Sequence, residues 1–83
     1  MGVETAVREF LTRELGKDVA ALAADESLLE SGTLDSVGVM QLVAFLERTF
    51  AITVSDDDLM PDNFDTLSAI STFVAARQVQ ARD

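Results

Sequence analysis

At 83 residues the chain reads as a single domain over residues 1–83, near the size at which one hydrophobic core is only marginally sufficient. Fifteen acids against six bases give a net charge of −9, which argues against nucleic-acid binding and against attraction to anionic membranes. Cysteine and histidine are both absent, which excludes disulfides, thiolate or imidazole metal sites, and Ser-His or Cys-His nucleophile pairs. A serine that reacts here must be activated by another protein.

Val3, Val7, Phe10, Leu11 and Leu15 recur at helical spacing with Glu4, Arg8, Glu9, Arg13 and Glu14 between them. This predicts a first helix from about Val3 to Leu15, ended by Gly16. From Lys17 to Leu34 the pattern is that of a long loop. Val19 to Ala24 have the makings of one helical turn, while Asp25-Glu26-Ser27 and Ser31-Gly32-Thr33 carry turn chemistry. Leu28, Leu29 and Leu34 are expected against the core. A loop of this length in so short a domain has a function or packs back on itself.

Gly32-Thr33-Leu34-Asp35-Ser36-Val37-Gly38 opens the most strongly amphipathic stretch. Asp and Ser typically start helices, because their side-chain oxygens accept from N–H groups left unpaired in the first turn. An N-cap alone would account for Asp35-Ser36. The second helix is predicted from Ser36 or Val37 to about Phe50. Val39, Leu42, Val43, Leu46 and Phe50 make a complete core stripe, and Val37, Met40 and Ala44 form a second apolar row beside it. That row either buries more deeply or stays exposed beside Ser36 as a docking patch. Phe45 falls off both rows. Gly38 weakens the first turns by up to about 1 kcal/mol relative to alanine.

Ala51 to Val54 is a connector with Ile52 and Val54 directed inward. Ser55-Asp56-Asp57-Asp58 has the form of a capping box, and Leu59 and Met60 supply the apolar side of a short helix stopped at Pro61. The aspartate run fails as a calcium loop, since Pro61 stands where the glycine is needed and no glutamate occupies the twelfth position. No metal site is expected. Phe64 anchors a turn, and Asp65-Thr66 cap a last helix in which Leu67, Ile70, Phe73, Val74 and Arg77 carry the period to about Val79. Arg77 and Arg82 suit the negative end of its dipole. The predicted fold is an all-α bundle of three main helices and one short one, with a long loop between the first two.

Charge is unevenly placed along these elements. Asp18 to Asp65 holds eleven acids and one base, Arg48, whereas the two ends together carry four acids and five bases. Such confinement points to a face that meets basic partners. No apolar run approaches the length of a membrane span, and no secretory apolar segment follows Met1, so a soluble cytoplasmic protein is expected.

With the elements in order, the chain resembles the acyl and peptidyl carrier proteins from Val3 to about Val79. Asp-Ser alone is a weak signal. Asp35-Ser36-Val37 followed by Leu42-Val43, Leu46-Glu47 and Phe50, and then Asn63-Phe64-Asp65-Thr66, is a strong one. The resemblance implies a covalent 4′-phosphopantetheine arm on Ser36, transferred from coenzyme A by a phosphopantetheinyl transferase. It implies a carrier rather than an enzyme, holding its cargo as a thioester. A phosphodiester on Ser36 would sit at a helix N-terminus, where free N–H groups and the dipole favour an anion.

Fatty-acid carriers usually read Gly-Ala-Asp-Ser-Leu and have a strongly acidic second helix. Gly38, Gln41, Arg48 and Thr49 occupy its usual acidic or polar positions here, with Asp35 and Glu47 retained. Gly-Thr-Leu-Asp-Ser-Val-Gly is more similar to D-alanine carriers and to free-standing carriers of specialised metabolism. The resulting expectation is a discrete, monomeric carrier of an acyl, aminoacyl or peptidyl group in a polyketide or nonribosomal-peptide type pathway. Its short flanks favour a free protein. Its partners would be the transferase, a loading ligase or acyltransferase, and a downstream synthase or transferase. Asp35, Val37, Met40, Gln41, Ala44 and Glu47 are the expected partner contacts. The alternatives are a D-alanine carrier for cell-wall modification and an unmodified acidic helical adaptor.

Overall fold

The computed structural model describes residues 2–81, with the backbone alone for 79–81; Arg82 lies outside the described residues. Four α-helices follow in order: α1 (Val3–Leu15), α2 (Ser36–Phe50), α3 (Pro61–Phe64) and α4 (Leu67–Ala81), with a 3-10 turn over Asp56–Asp58 before α3. The described chain is all-helical, as predicted, and contains no helix long and apolar enough to cross a membrane.

The bounds of α1 and α2 follow from their ends. Gly16 turns left-handed at φ 66°, and its N–H and that of Lys17 both return to the Leu11 carbonyl, which closes α1. α2 closes at Ala51, which is left-handed at φ 55° although it carries a Cβ. Ala51→Gly is therefore expected to stabilise the fold by about 0.5–1 kcal/mol, the relieved strain exceeding the added freedom of the unfolded chain. Thermal unfolding followed by circular dichroism checks this, with a rise of several degrees expected and a fall contradicting it.

α4 packs against α1, α2 and α3 and supplies the middle of the core. Its Leu67, Ile70, Phe73 and Val74 are buried with Val7, Phe10 and Leu11 of α1 and Leu42, Val43 and Leu46 of α2. Phe45, off both apolar rows of α2, stacks on Phe10 with ring centroids 4.7 Å apart, and Phe64 meets Phe73 edge-on at 5.2 Å.

The long loop does pack back. Val19, Leu22, Leu28 and Leu34 are buried. The Arg8 guanidinium donates to the carbonyls of Val19 at 2.9 Å and Leu22 at 2.7 Å. From the other side Asp65 holds the loop: its Oδ1 accepts from the Ser27 hydroxyl at 2.8 Å and the Leu29 N–H at 3.2 Å, and its carbonyl accepts from the Leu28 N–H at 2.6 Å. Leu29 corrects the expectation that all three leucines are pinned. Leu28 takes the core position and its neighbour is left exposed. Asp65 is accordingly not the cap of α4, a role that Thr66 fills alone by accepting from the Ala69 N–H at 2.9 Å.

Pro61 was expected to stop a short helix; it starts one. A proline suits the first helical position because it lacks an N–H that would find no partner there. The predicted capping box forms where the sequence places it, over Ser55–Asp58 ahead of α3, with the Ser55 N–H and hydroxyl both donating to Asp58 Oδ2 at 3.1 and 2.9 Å. Arg77, placed by its dipole position in the sequence, pairs with the Asp58 carboxylate and lies over the Phe73 ring at 5.1 Å. The Asn63 amide donates to the Asp58 carbonyl at 2.8 Å, so Asp58 ties α3 and its approach to α4.

The Ser55 N–H, then its hydroxyl, then the Arg77 charge hold the Asp58 carboxyl below its ordinary value of 3.8, against an opposing effect of burial. A carboxyl depressed in the folded state stabilises it above the unfolded pKa and ceases to as pH falls through the folded one. Asp58→Asn is thus expected to be less stable than the parent at neutral pH, with the gap closing below about pH 4. Urea unfolding of both proteins at neutral and acid pH checks it; a gap that stays constant would place the effect elsewhere.

Candidate functional site

Ser36 is the first residue of α2 and is exposed. Its position is built from both sides. Asp35 is extended (φ −123°, ψ −174°) and caps the helix, its Oδ1 accepting from the Gly38 N–H at 2.7 Å and its carbonyl from the Val39 N–H at 2.9 Å. The loop ahead of it folds on itself, with the Leu34 N–H on the Leu28 carbonyl at 2.9 Å and Gly32 at φ 80°. The N-cap reading of Asp35 is therefore correct, and it leaves the Ser36 hydroxyl unburdened by capping.

Gly38 has a role its helix propensity does not show. It is buried, and a Cβ there would lie 3.1 Å from Leu34 Cδ2, 3.2 Å from Asp35 Oδ1 and 3.5 Å from Leu15 Cδ1. Glycine lets the head of α2 sit against the loop and the end of α1.

Beside Ser36 runs an open groove of about 250 Å³, walled by Leu29 of the loop, Val39 and Met40 of α2, and Leu59, Met60 and Phe64 on the α3 side. The large apolar side chains exposed among the described residues are Val37 (66%), Met40 (57%), Met60 (55%) and Leu29 (38%). Three of them line this groove with Ser36, and Val37 follows Ser36 in the chain. The second apolar row of α2 thus stays in solvent. Leu29 and Met60 join it unforeseen, since apolar residues in short polar segments give no periodic signal.

The other expected contacts divide. Gln41 shares a depression with Asp35 and Val37, and Ala44 shares one with Gln41 and Arg48; both residues are exposed. Glu47 does not present a free carboxylate. It is half-buried, and its Oε2 accepts from the Val54 N–H at 2.9 Å, holding the connector after α2.

These features suit the group that the resemblance implied. An exposed hydroxyl heads a helix whose first N–H groups have no intrahelical acceptor, which accommodates a phosphodiester, and an apolar groove lies alongside. The fold and this helix head define a phosphopantetheine-dependent carrier. The family described as "Phosphopantetheine attachment site" matches residues 5–74, and the chain belongs to this phosphopantetheine-binding carrier family. Its cofactor is covalently attached 4′-phosphopantetheine. Among curated relatives, the D-alanyl carrier proteins of Streptococcus pyogenes serotype M5 (strain Manfredo), serotype M49 (strain NZ131) and serotype M1 are each 36% identical over 70 residues. Each alignment covers 84% of this chain and 87% of the relative. Carriers of this family work with a phosphopantetheinyl transferase and with loading and transfer enzymes.

Proposed function

We propose that Ser36 is the attachment residue and that the carrier holds an aminoacyl group of the D-alanyl kind, loaded by a separate ligase. The observation that carries the site is the exposed Ser36 hydroxyl at the first position of α2, beside the groove. Similarity to D-alanyl carrier proteins supports the cargo and favours it over the polyketide or nonribosomal-peptide reading.

The chain's own contribution is positional. Asp35 fixes the first turn, Gly38 lets it seat closely, and Ser36 is presented where another enzyme's active site can reach it. The phosphate is accommodated by N–H groups at the helix head. When bound, the group supplies a terminal thiol that holds the cargo as a thioester. Chemistry at that thiol belongs to the partners, because a chain without cysteine or histidine offers no nucleophile pair of its own.

Incubating the arm-bearing chain with ATP, D-alanine and a D-alanine ligase, beside reactions with other amino acids and with acyl donors and their transferases, tests the cargo. Intact mass is expected to rise by one D-alanyl group. Loading only by an acyltransferase, or only with a different amino acid, would replace this reading with the specialised-metabolism one.

A further inference from the structure

We propose that Lys17 is the counter-charge for the phosphate of the arm, held beside the head of α2 by the way α1 closes. The proposal rests on Ser36 as the attachment residue and adds a positioning residue to it.

Two depressions flank the head of α2. The groove on the α3 side carries no charged side chain on its walls. The second, of about 230 Å³, lies toward the end of α1. Its walls include Asp35 and Val37, the two chain neighbours of Ser36, together with Leu15 and Lys17. A cavity this small lies within the reach of one flexible lysine side chain. Lys17 is the only lysine of the chain, and no other base occurs between Arg13 and Arg48.

The backbone sets its place. The N–H groups of Gly16 and Lys17 both return to the Leu11 carbonyl, so the chain at Lys17 is fixed by the closure of α1. The head of α2 seats against that closure at Gly38, where a Cβ would meet Leu15 Cδ1 at 3.5 Å. The close approach that glycine permits is therefore what brings a base to this helix start. Lys17 is exposed, and its ammonium takes no hydrogen bond or ion pair among the described residues. The acids near it in the chain and in the depression serve backbone groups instead. Asp18 Oδ1 accepts from the Ala20 N–H at 3.2 Å, and Asp35 Oδ1 accepts from the Gly38 N–H.

A phosphodiester on Ser36 puts a second negative charge beside the Asp35 carboxylate, and like charges this close repel. The N–H groups of the helix head offset part of that cost. A hydrated ammonium on a mobile stem, already at the edge of the same depression, offsets more. The consequence is directional: the phosphate end of the arm is drawn to the α1 side of the helix head, away from the apolar groove.

The test compares arm-free and arm-bearing forms of the full chain as parent, Lys17→Gln, Lys17→Arg, and Arg48→Gln, a control that removes the same charge near the far end of α2. Peptide mass mapping first locates the arm. Each pair is unfolded thermally at ionic strengths of about 0.05 and 0.5 M. Because every variant is referred to its own arm-free form, any effect of the substitution on the fold itself cancels. At low salt the arm is expected to lower the midpoint of Lys17→Gln by about 3 °C more than that of the parent. The difference should close at high salt, Lys17→Arg should follow the parent, and Arg48→Gln should stay within about 1 °C of it. Nuclear magnetic resonance of the parent with isotope-labelled lysine gives a second readout, since a single side chain reports. Its signal should shift on arm addition at low salt and return at high salt. An unmoved lysine signal, an unmoved relative midpoint, or an equal effect in Arg48→Gln would overturn the proposal and leave Ser36 standing. An arm mapped to another residue would overturn both.

Discussion

Ser36→Ala is expected to leave a folded protein that gains no phosphopantetheine. The cap of α2 is the Asp35 carboxylate, so removing the Ser36 hydroxyl breaks no bond that holds the helix. An exposed substitution away from caps and core changes stability by no more than about 0.5 kcal/mol, so the thermal midpoint should be nearly unmoved. Attachment at Ser36, as proposed, needs this oxygen, and arm addition should fall to zero. Intact mass after incubation with coenzyme A and transferase reads the outcome, with the parent chain as positive control. The Ser31 and Ser55 hydroxyls are poor substitutes. Ser31 Oγ is bonded to the Leu28 carbonyl and to Thr33, and Ser55 Oγ is engaged with Asp58. A folded Ser36→Ala protein that still gains one arm would move the site to one of them.

The legible parts of this chain are those decided by local chemistry. α1 could be bounded from its apolar spacing and Gly16, and Ser36 could be located because Asp35 announces a helix start whose core stripe runs unbroken to Phe50. What local pattern could not supply are the uses to which polar side chains are put at a distance. Glu47 read as a surface acid, yet Val54 seven residues on takes its carboxylate. Asp65 read as a cap, yet a loop 38 residues earlier in the chain takes it, and Thr66 does the capping. Pro61 has two grammatical roles in a sequence, helix stop and first helical position. Which one applies depends on the Asp58 anchor that brings the chain into α3. The apolar patch was half legible for the same reason. Val37 and Met40 belong to a periodic row, whereas Leu29 and Met60 reach the groove only because the loop and α3 fold against α2.

Asp65→Ala is expected to have the largest effect on stability of the substitutions considered. It removes one carboxylate oxygen that accepts two hydrogen bonds across 38 and 36 residues of chain. Hydrogen bonds to a charged acceptor contribute about 1.5–3 kcal/mol, and Ser27 and Leu29 lie near enough to solvent to recover part of that from water. A loss of about 2 kcal/mol follows, or about 10 °C in the thermal midpoint of a domain this small. The backbone bond from the Leu28 N–H to the Asp65 carbonyl survives the substitution, so the loop should loosen from Ser27 to Leu29 rather than detach. Hydrogen exchange should accelerate at the Leu29 amide before it does in α4. Because Leu29 walls the groove and the Leu28–Leu34 bond seats the residue before Asp35, the same loosening should reach the helix head. Arm addition by the transferase is then expected to slow, chiefly through KM. Asp65→Asn separates the two causes: its side-chain oxygen can still accept both bonds, so most of the stability and the rate should return. An asparagine variant as damaged as the alanine one would mean that the charge of Asp65, and not its geometry, holds the loop.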